Sequence, residues 1–287
     1  MGMNGILLLD KEEGWTSQDC VAKLRGVLGE KRIGHAGTLD PMATGLLVVL
    51  VGRATRASSW AEAEQKEYIA AFRPGLTTDT QDITGRVIRQ SDDLPTTGRV
   101  IEAIPKFTGL IKQVPPMYSA IKIGGRRLYE IARRGGEVDR PPRSVTIYSL
   151  EHLGVDGIDH ILRIRCSKGT YIRTLCHDLG EILGCGGCMA SLRRTASGAF
   201  RVEEAKTVSE IKRDSTALLP VDSLFPDAAP LILTEDQERL CRCGNPFPSA
   251  EPNGERRFYA PDRSFLAFGI VENGRARTIK SFFEVDR

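Results

Sequence analysis

Two short apolar runs dominate the start of the chain. Gly5-Ile6-Leu7-Leu8-Leu9-Asp10 and Leu46-Leu47-Val48-Val49-Leu50-Val51 each read as a short buried strand. Between them Val21, Leu24, Val27 and Leu28 fall on one helical face. Thr16 and Asp19 have capping-box spacing ahead of that face, and Gly29 stands where a helix stop is expected. Lys31 to Asp40 contains two glycines and no helical period, so it reads as a loop. Pro41 can open a helix, which Gly45 would soon end.

Farther along, Tyr68 to Arg73 is a strand candidate, followed by a polar loop from Thr77 to Gly85. Ile101 to Leu110 suggests a helix interrupted near Pro105, and Pro115-Pro116 breaks the chain again. Val145 to Leu153 and Ile158 to Cys166 are β-rich and suited to pair. Ile172 to Leu183 reads as a helix with Leu175, Leu179 and Ile182 on one face, ended by Gly184. Leu218 to Asp222 and Pro226 to Pro230 mark a boundary, giving expected domains of 1–225 and 226–287. The tail holds a short helix, Glu235 to Cys241, β-like segments around Phe258 and over Phe265 to Val271, and a hairpin signal at Asn273-Gly274. Strands and helices in irregular order predict an α+β fold rather than a doubly wound sheet.

Composition changes this picture little. The 287 residues are 41% hydrophobic and 27% charged, enough for a sizeable core in one or two domains. The net charge of +3 does not announce a nucleic-acid binder, but it is uneven: +5 over residues 1–200 and −2 over 201–287. Lys122 to Arg143 holds seven basic and three acidic residues, a patch that suits phosphates or a plain solvated surface. No apolar run approaches the ~20 residues that span a bilayer. The start of the chain has neither a secretory pattern nor Ser or Thr at position 6 for myristoylation, so a cytoplasmic protein is expected. Seven cysteines, an odd count, fit reduced thiols better than a disulfide framework. Cys185-Gly186-Gly187-Cys188 and Cys241-Arg242-Cys243 are poor zinc motifs, the second being CxC, and no metal is expected.

The densest chemistry lies in Gly34-His35-Ala36-Gly37-Thr38-Leu39-Asp40-Pro41-Met42-Ala43-Thr44-Gly45. Three glycines bend the backbone and display a histidine and an aspartate between two apolar elements, a common setting for catalytic groups. Asp-Pro is also a frequent turn device. The segment alone leaves Asp40 open as a cap or a catalyst.

Further segments bear on that choice. Lys66-Glu67-Tyr68, Thr77-Thr78-Asp79-Thr80 with Asp82-Ile83-Thr84-Gly85, Gln113 to Ala120, Cys166 to Leu175 and Leu192-Arg193-Arg194 follow in order. Together with the Asp40 segment they resemble the TruB family, whose members make pseudouridine at the T-loop uridine of tRNA, position 55. The resemblance spans roughly residues 5–225. Relatives usually have Pro where Glu12 stands, and some have His where Cys188 stands.

The resemblance implies a mixed, largely antiparallel pseudouridine-synthase sheet flanked by helices and loops, with a small β-rich PUA-like RNA-binding module after residue 226. It implies an isomerase that needs no cofactor, because the product is an isomer of the substrate. Asp40 would be the catalytic carboxylate and Arg173 the cation that keeps it ionised. Tyr68 would stack on the target uracil, with Tyr171 as the second aromatic, able to assist loss of the C5 proton. Leu192 would be an apolar wall, and His35 would fill the space left by a flipped base. Lys11, Lys31, Arg32, Lys122, Arg126 and Arg127 are candidate phosphate contacts. The expected partner is the tRNA T-stem-loop, bound by a monomer. A non-catalytic tRNA-folding chaperone on the same scaffold is the alternative; it would predict a lost carboxylate or a lost arginine, and both are present.

Overall fold

The computed structural model describes residues 3–62, 64–214 and 218–283. Strands β1 (Gly5–Lys11) and β3 (Thr44–Val51) pair antiparallel, from Gly5↔Val51 to Lys11↔Gly45. Their apolar runs are continuous because both faces are covered. Leu7, Leu9, Leu47, Val49 and Val51 enter one core, while Ile6, Leu8, Leu46, Val48 and Leu50 enter another. Helix α1 (Ser17–Leu28) lies against the first core. Thr16 and Asp19 close its capping box, and Gly29 ends it in the left-handed region at φ 64°.

The stretch read as a loop before Asp40 is partly a strand. β2 (Ile33–Ala36) pairs antiparallel with Val48–Val51 of β3, which supplies a buried, rigid template that sequence periodicity does not reveal. Pro41 opens a turn rather than a helix, closed by the Ala43 N–H donating to the Asp40 carbonyl at 3.1 Å.

A 3-10 turn, Gly52–Ala57, runs into the single turn of α2 (Ser58–Ala61), and β4 (Gln65–Pro74) follows. The polar loop begins inside a small hairpin formed by β5 (Leu76–Thr78) and β6 (Val87–Gln90). The helix expected around Pro105 is α3 (Thr97–Ala103), which tightens to a 3-10 turn at Ile104–Phe107 and gives way to β7 (Gly109–Gln113). Beyond the Pro115-Pro116 break, β8 (Lys122–Ile123) and β9 (Arg126–Arg127) make a small exposed hairpin leading into α4 (Leu128–Ala132). β10 (Arg143–Asp156) and β11 (Asp159–Ser167) pair as expected. In α5 (Ile172–Leu183) the buried stripe is Leu175, Leu179 and Leu183; Ile182 faces solvent. β12 (Gly187–Ser197) was not foreseen, because Ser191, Arg193, Arg194 and Thr195 hide its strand character.

The main sheet runs β1-β3-β12-β4-β11-β10-β7, with β2 beside β3 and β13 (Phe200–Arg201) beside β12. Its pairings are antiparallel except β3 with β12, which is parallel and confined to Arg193↔Thr44 and Arg194↔Gly45. One edge of β3 is therefore shared: Thr44 and Gly45 meet β12, and Val48–Val51 meet β2. This makes a fork in the sheet, and the connection through residues 37–43 crosses at it.

After α6 (Val208–Arg213) the chain returns to β1 through the Ile6↔Leu219 bridge. A second sheet, ordered β14-β16-β17-β18-β15, comprises β14 (Ala229–Ile232), β15 (Phe247–Pro248), β16 (Gly254–Tyr259), β17 (Phe265–Glu272) and β18 (Arg275–Ser281). With α7 (Glu235–Arg242) it has its own small core around Phe247 and Phe258. Asn273 and Gly274 turn between β17 and β18 at φ 52° and 74°, the two positive values a tight hairpin turn requires. Phe225 stacks on Phe268 at 4.3 Å, and Trp60 meets both rings edge-on, which ties this sheet to the second core. All seven cysteines are unpaired thiols.

Candidate active site

The connection at the fork is held almost entirely through its backbone. Arg194, fully buried on β12, donates from NH2 to the Gly37 carbonyl (2.9 Å) and from Nε to the Leu46 carbonyl (2.7 Å). Ser17 accepts from the Leu39 N–H (2.9 Å) and donates to the Leu39 carbonyl (3.1 Å). The Lys11 ammonium donates to the carbonyls of Pro41 (3.1 Å) and Ala43 (2.5 Å). Only glycine fits at position 45, where φ is 96° and a Cβ would lie 2.3 Å from the Arg194 carbonyl. With its backbone committed, the loop presents the Asp40 side chain, 37% exposed.

Arg173 meets that carboxylate from the first turn of α5. Its Nε lies 2.9 Å from Asp40 Oδ2, and its side chain is only 5% exposed. NH1 donates to the Thr80 carbonyl (3.1 Å) and NH2 to the Tyr118 carbonyl (2.8 Å). NH1 also lies 3.8 Å from Oδ2 of Asp82, a second buried carboxylate. Asp82 is fixed in turn: its Oδ1 accepts from the Thr80 hydroxyl, the Thr84 N–H and the Thr84 hydroxyl at 2.8, 3.0 and 2.6 Å. The guanidinium is thus over-determined, and one edge is left for Asp40.

Tyr68 on β4 is buried, opposite Arg194 in register. Burial pushes its phenol pKa up, and the charge of nearby Asp40 adds to the rise. Tyr171, half-buried at the N-terminus of α5, is shifted upward in the same way, by burial first and with Asp40 contributing. Its peptide is gripped on both sides by the buried Gln113, which accepts from its N–H (3.0 Å) and donates to its carbonyl (3.2 Å). Leu192, buried on β12, shares a core with Tyr68, Leu39 and Ile172. His35 stands half-buried on β2 with no hydrogen-bond partner at Nδ1; burial, and then the charge of Arg194, push its pKa down. Asp40, Arg173, Tyr68 and Tyr171 are therefore brought together, with Leu192 in the adjoining core and His35 at the fork.

The basic residues divide. Lys31, Arg32, Lys122, Arg126 and Arg127 are exposed, as phosphate contacts require. Lys11 is not: it is 1% exposed and its ammonium is spent on three carbonyls, so it braces the Asp40 loop rather than facing RNA. Asp82, Gln113 and Arg194 were not singled out from sequence as site residues, although each lies in a segment that carries the resemblance. Among the described residues no group of three or more His, Cys, Asp or Glu side chains is placed to hold a metal ion. The arrangement offers one oriented carboxylate beside two aromatic rings. That suits nucleophilic or proton-transfer chemistry on a planar ring.

The fold and this centre define the chain as a pseudouridine-synthase-type protein. Residues 25–172 match the family described as "TruB family pseudouridylate synthase (N terminal domain)", and residues 173–225 match "tRNA pseudouridylate synthase B C-terminal domain". The chain is 41% identical to tRNA pseudouridine synthase B of Alkaliphilus oremlandii, over 94% of each protein. It is 47% identical to the protein of that name from Syntrophus aciditrophicus, over 99% of this chain and 93% of the relative. Among solved structures, a Cbf5-Nop10-Gar1 complex contains a chain 25% identical, with TM-score 0.71, covering 97% of this chain and 85% of the other. The chain belongs to the TruB family.

Proposed function

We propose that this protein isomerises the T-loop uridine of tRNA, at position 55, to pseudouridine, with Asp40 as the catalytic carboxylate. The observation that carries the reading is the 2.9 Å pairing of Asp40 with a buried, fully braced Arg173 beside Tyr68 and Tyr171. The reaction breaks the C1′–N1 bond and forms C1′–C5, while C5 loses a proton and N1 gains one, so there is no net oxidation. A carboxylate entering a drier pocket on RNA binding would tend to protonate; the Arg173 charge opposes that. Tyr68 gives the uracil a stacking surface worth roughly 1–3 kcal/mol. Tyr171, the second ring beside Asp40, relays the C5 proton through its phenol oxygen.

The target base must leave the loop stack, and His35 fills the vacated space as a neutral ring, consistent with the downward push on its pKa. The exposed Arg32 and the β8–β9 hairpin hold phosphates. The second sheet, residues 226–287, serves as a PUA-like RNA-binding module, and the protein works as a cytoplasmic monomer.

The test is conversion of a T-stem-loop RNA by purified protein, read by a pseudouridine-specific mapping reaction. Wild-type protein is expected to convert the T-loop uridine, and Asp40→Asn to convert none. Normal turnover by Asp40→Asn would overturn the mechanism.

A further inference from the structure

Behind the Asp40 loop lies a group of cations that the chemistry above does not use. Lys66 and Tyr68 are two residues apart on β4, so both point to one face of the sheet, roughly 7 Å apart along the strand. Arg194 is the cross-strand neighbour of Tyr68. At Gly37, whose φ is 70°, a Cβ would lie 3.2 Å from Arg194 NH1 and 3.2 Å from Lys66 Nζ, so the two cations converge on one spot beneath that glycine. Neither forms an ion pair among the described residues, although the Glu62 charge reaches Lys66. Arg194 is fully buried and its NH1 has no partner; its other two nitrogens face carbonyls. The Lys66 side chain is 8% exposed, and its ammonium has no hydrogen-bond or ion-pair partner among the described residues.

Two like charges drawn together out of water cost stability unless they are well paired, and the only carboxylate charge acting on Lys66, that of Glu62, makes no ion pair with it. Burial and then Arg194 push the Lys66 pKa down, which is the same conflict seen in titration. Lys66, the less buried of the two, is one side-chain repeat from Tyr68, the ring proposed to stack the target base. A nucleotide whose base lies on Tyr68 carries its phosphates at about that distance.

We propose that Lys66, backed by the buried charge of Arg194, is an anion subsite that binds a phosphodiester next to the flipped nucleotide. The inference rests on the base lying on Tyr68, as in the proposed function. It gives the protein a reason to keep two unpaired cations: they are completed only when the RNA strand enters the fork.

The test uses T-stem-loop RNAs in which the 5′ or the 3′ phosphate of the target uridine is replaced by an uncharged methylphosphonate, with binding to the full-length protein measured directly. One of the two replacements is expected to weaken binding to wild-type protein roughly 10-fold or more, the size of a charge-assisted hydrogen bond. In Lys66→Met the same replacement should cost less than about twofold, and the slope of log affinity against log salt should fall by roughly 0.7 to 0.9. Lys66→Arg should restore both. If neither replacement weakens binding to wild-type protein, the subsite does not exist, whatever the variants do. If the penalty is equal in wild type and Lys66→Met, the phosphate is held elsewhere and the proposal fails. Because the readout is binding, these outcomes are separable from a failure to form pseudouridine, which is scored on the wild-type protein alone.

Discussion

Replacing Asp82 with asparagine removes one of the two negative charges that Arg173 faces while keeping the shape of the side chain. Oδ1 of Asp82 accepts three hydrogen bonds from Thr80 and Thr84, and an amide oxygen can accept them equally well. What is lost is the charge on Oδ2, 3.8 Å from Arg173 NH1. At an effective dielectric constant of about 20, that attraction has an upper bound of about 4 kcal/mol. Most of it is offset, because Arg173 keeps its bonds to the carbonyls of Thr80 and Tyr118 and its pairing with Asp40. A remainder of roughly 1–2 kcal/mol should appear in the barrier, because Arg173, no longer shared with Asp82, draws more charge from Asp40, the proposed catalytic carboxylate. That corresponds to a fall in kcat of about 5- to 30-fold. KM should change by less than about twofold, since Asp82 is 5% exposed and so has little surface to offer RNA. The assay is tritium release from T-stem-loop RNA labelled at C5 of uridine, followed at saturating and limiting RNA. Wild-type kcat in Asp82→Asn, or a higher KM with kcat unchanged, would refute the reasoning.

Two further perturbations test how the scaffold supports the site. At Gly180 a Cβ would lie 2.2 Å from the Gly187 nitrogen, so Gly180→Ala should push α5 off β12, lower stability by roughly 2 kcal/mol or more, and reduce kcat more than RNA affinity through misplaced Arg173; a thermal melt and the tritium assay read both effects. His35 and His160 each have a pKa lowered by burial first, with Arg194 and His152 adding to it, from an unperturbed value of 6.5. Their folded pKa values lie below the unfolded one, so their contribution to stability is complete above pH 6.5 and is lost as pH falls through the lowered values. The wild-type melting temperature should therefore drop on acidification below that point, and the drop should be smaller in His35→Gln/His160→Gln.

Local pattern was enough for elements whose burial follows from their own residues. The runs in β1 and β3 announce themselves because both faces are buried, and α1 because its caps and its apolar face agree. β12 stayed hidden, although it is central, because it spends Arg193 on Asp10 and Arg194 on backbone carbonyls. β2 stayed hidden because Gly34 and His35 have no strand pattern of their own; β3 imposes one. The same distinction governs the site. Asp40, Tyr68, Tyr171 and Arg173 could be named from a family resemblance. The partners that brace them could not be ranked, because a lysine or arginine in a sequence reads as surface unless its counter-groups are known. Lys11 was misplaced for that reason.

The burial of those cations also explains why bulk charge was uninformative. The chain carries only +3, and its most basic stretch is the exposed segment around the β8–β9 hairpin. At the fork, Lys11, Lys66, Arg173 and Arg194 are all buried, while Asp40 and Asp82 lie against Arg173 and the Glu62 charge reaches Lys66. Charge placed there acts through a lower dielectric and is screened less by salt than the same charge on the surface. Under the proposed function, an RNA strand drawn by it would be led to Asp40 instead of to an outlying patch. Backbone carbonyls around Asp40 accept from two of these cations, Lys11 and Arg194. Glycines at positions 37 and 45 let the backbone come that close, so the loop that carries Asp40 is shaped by the charges around it as much as by its own sequence.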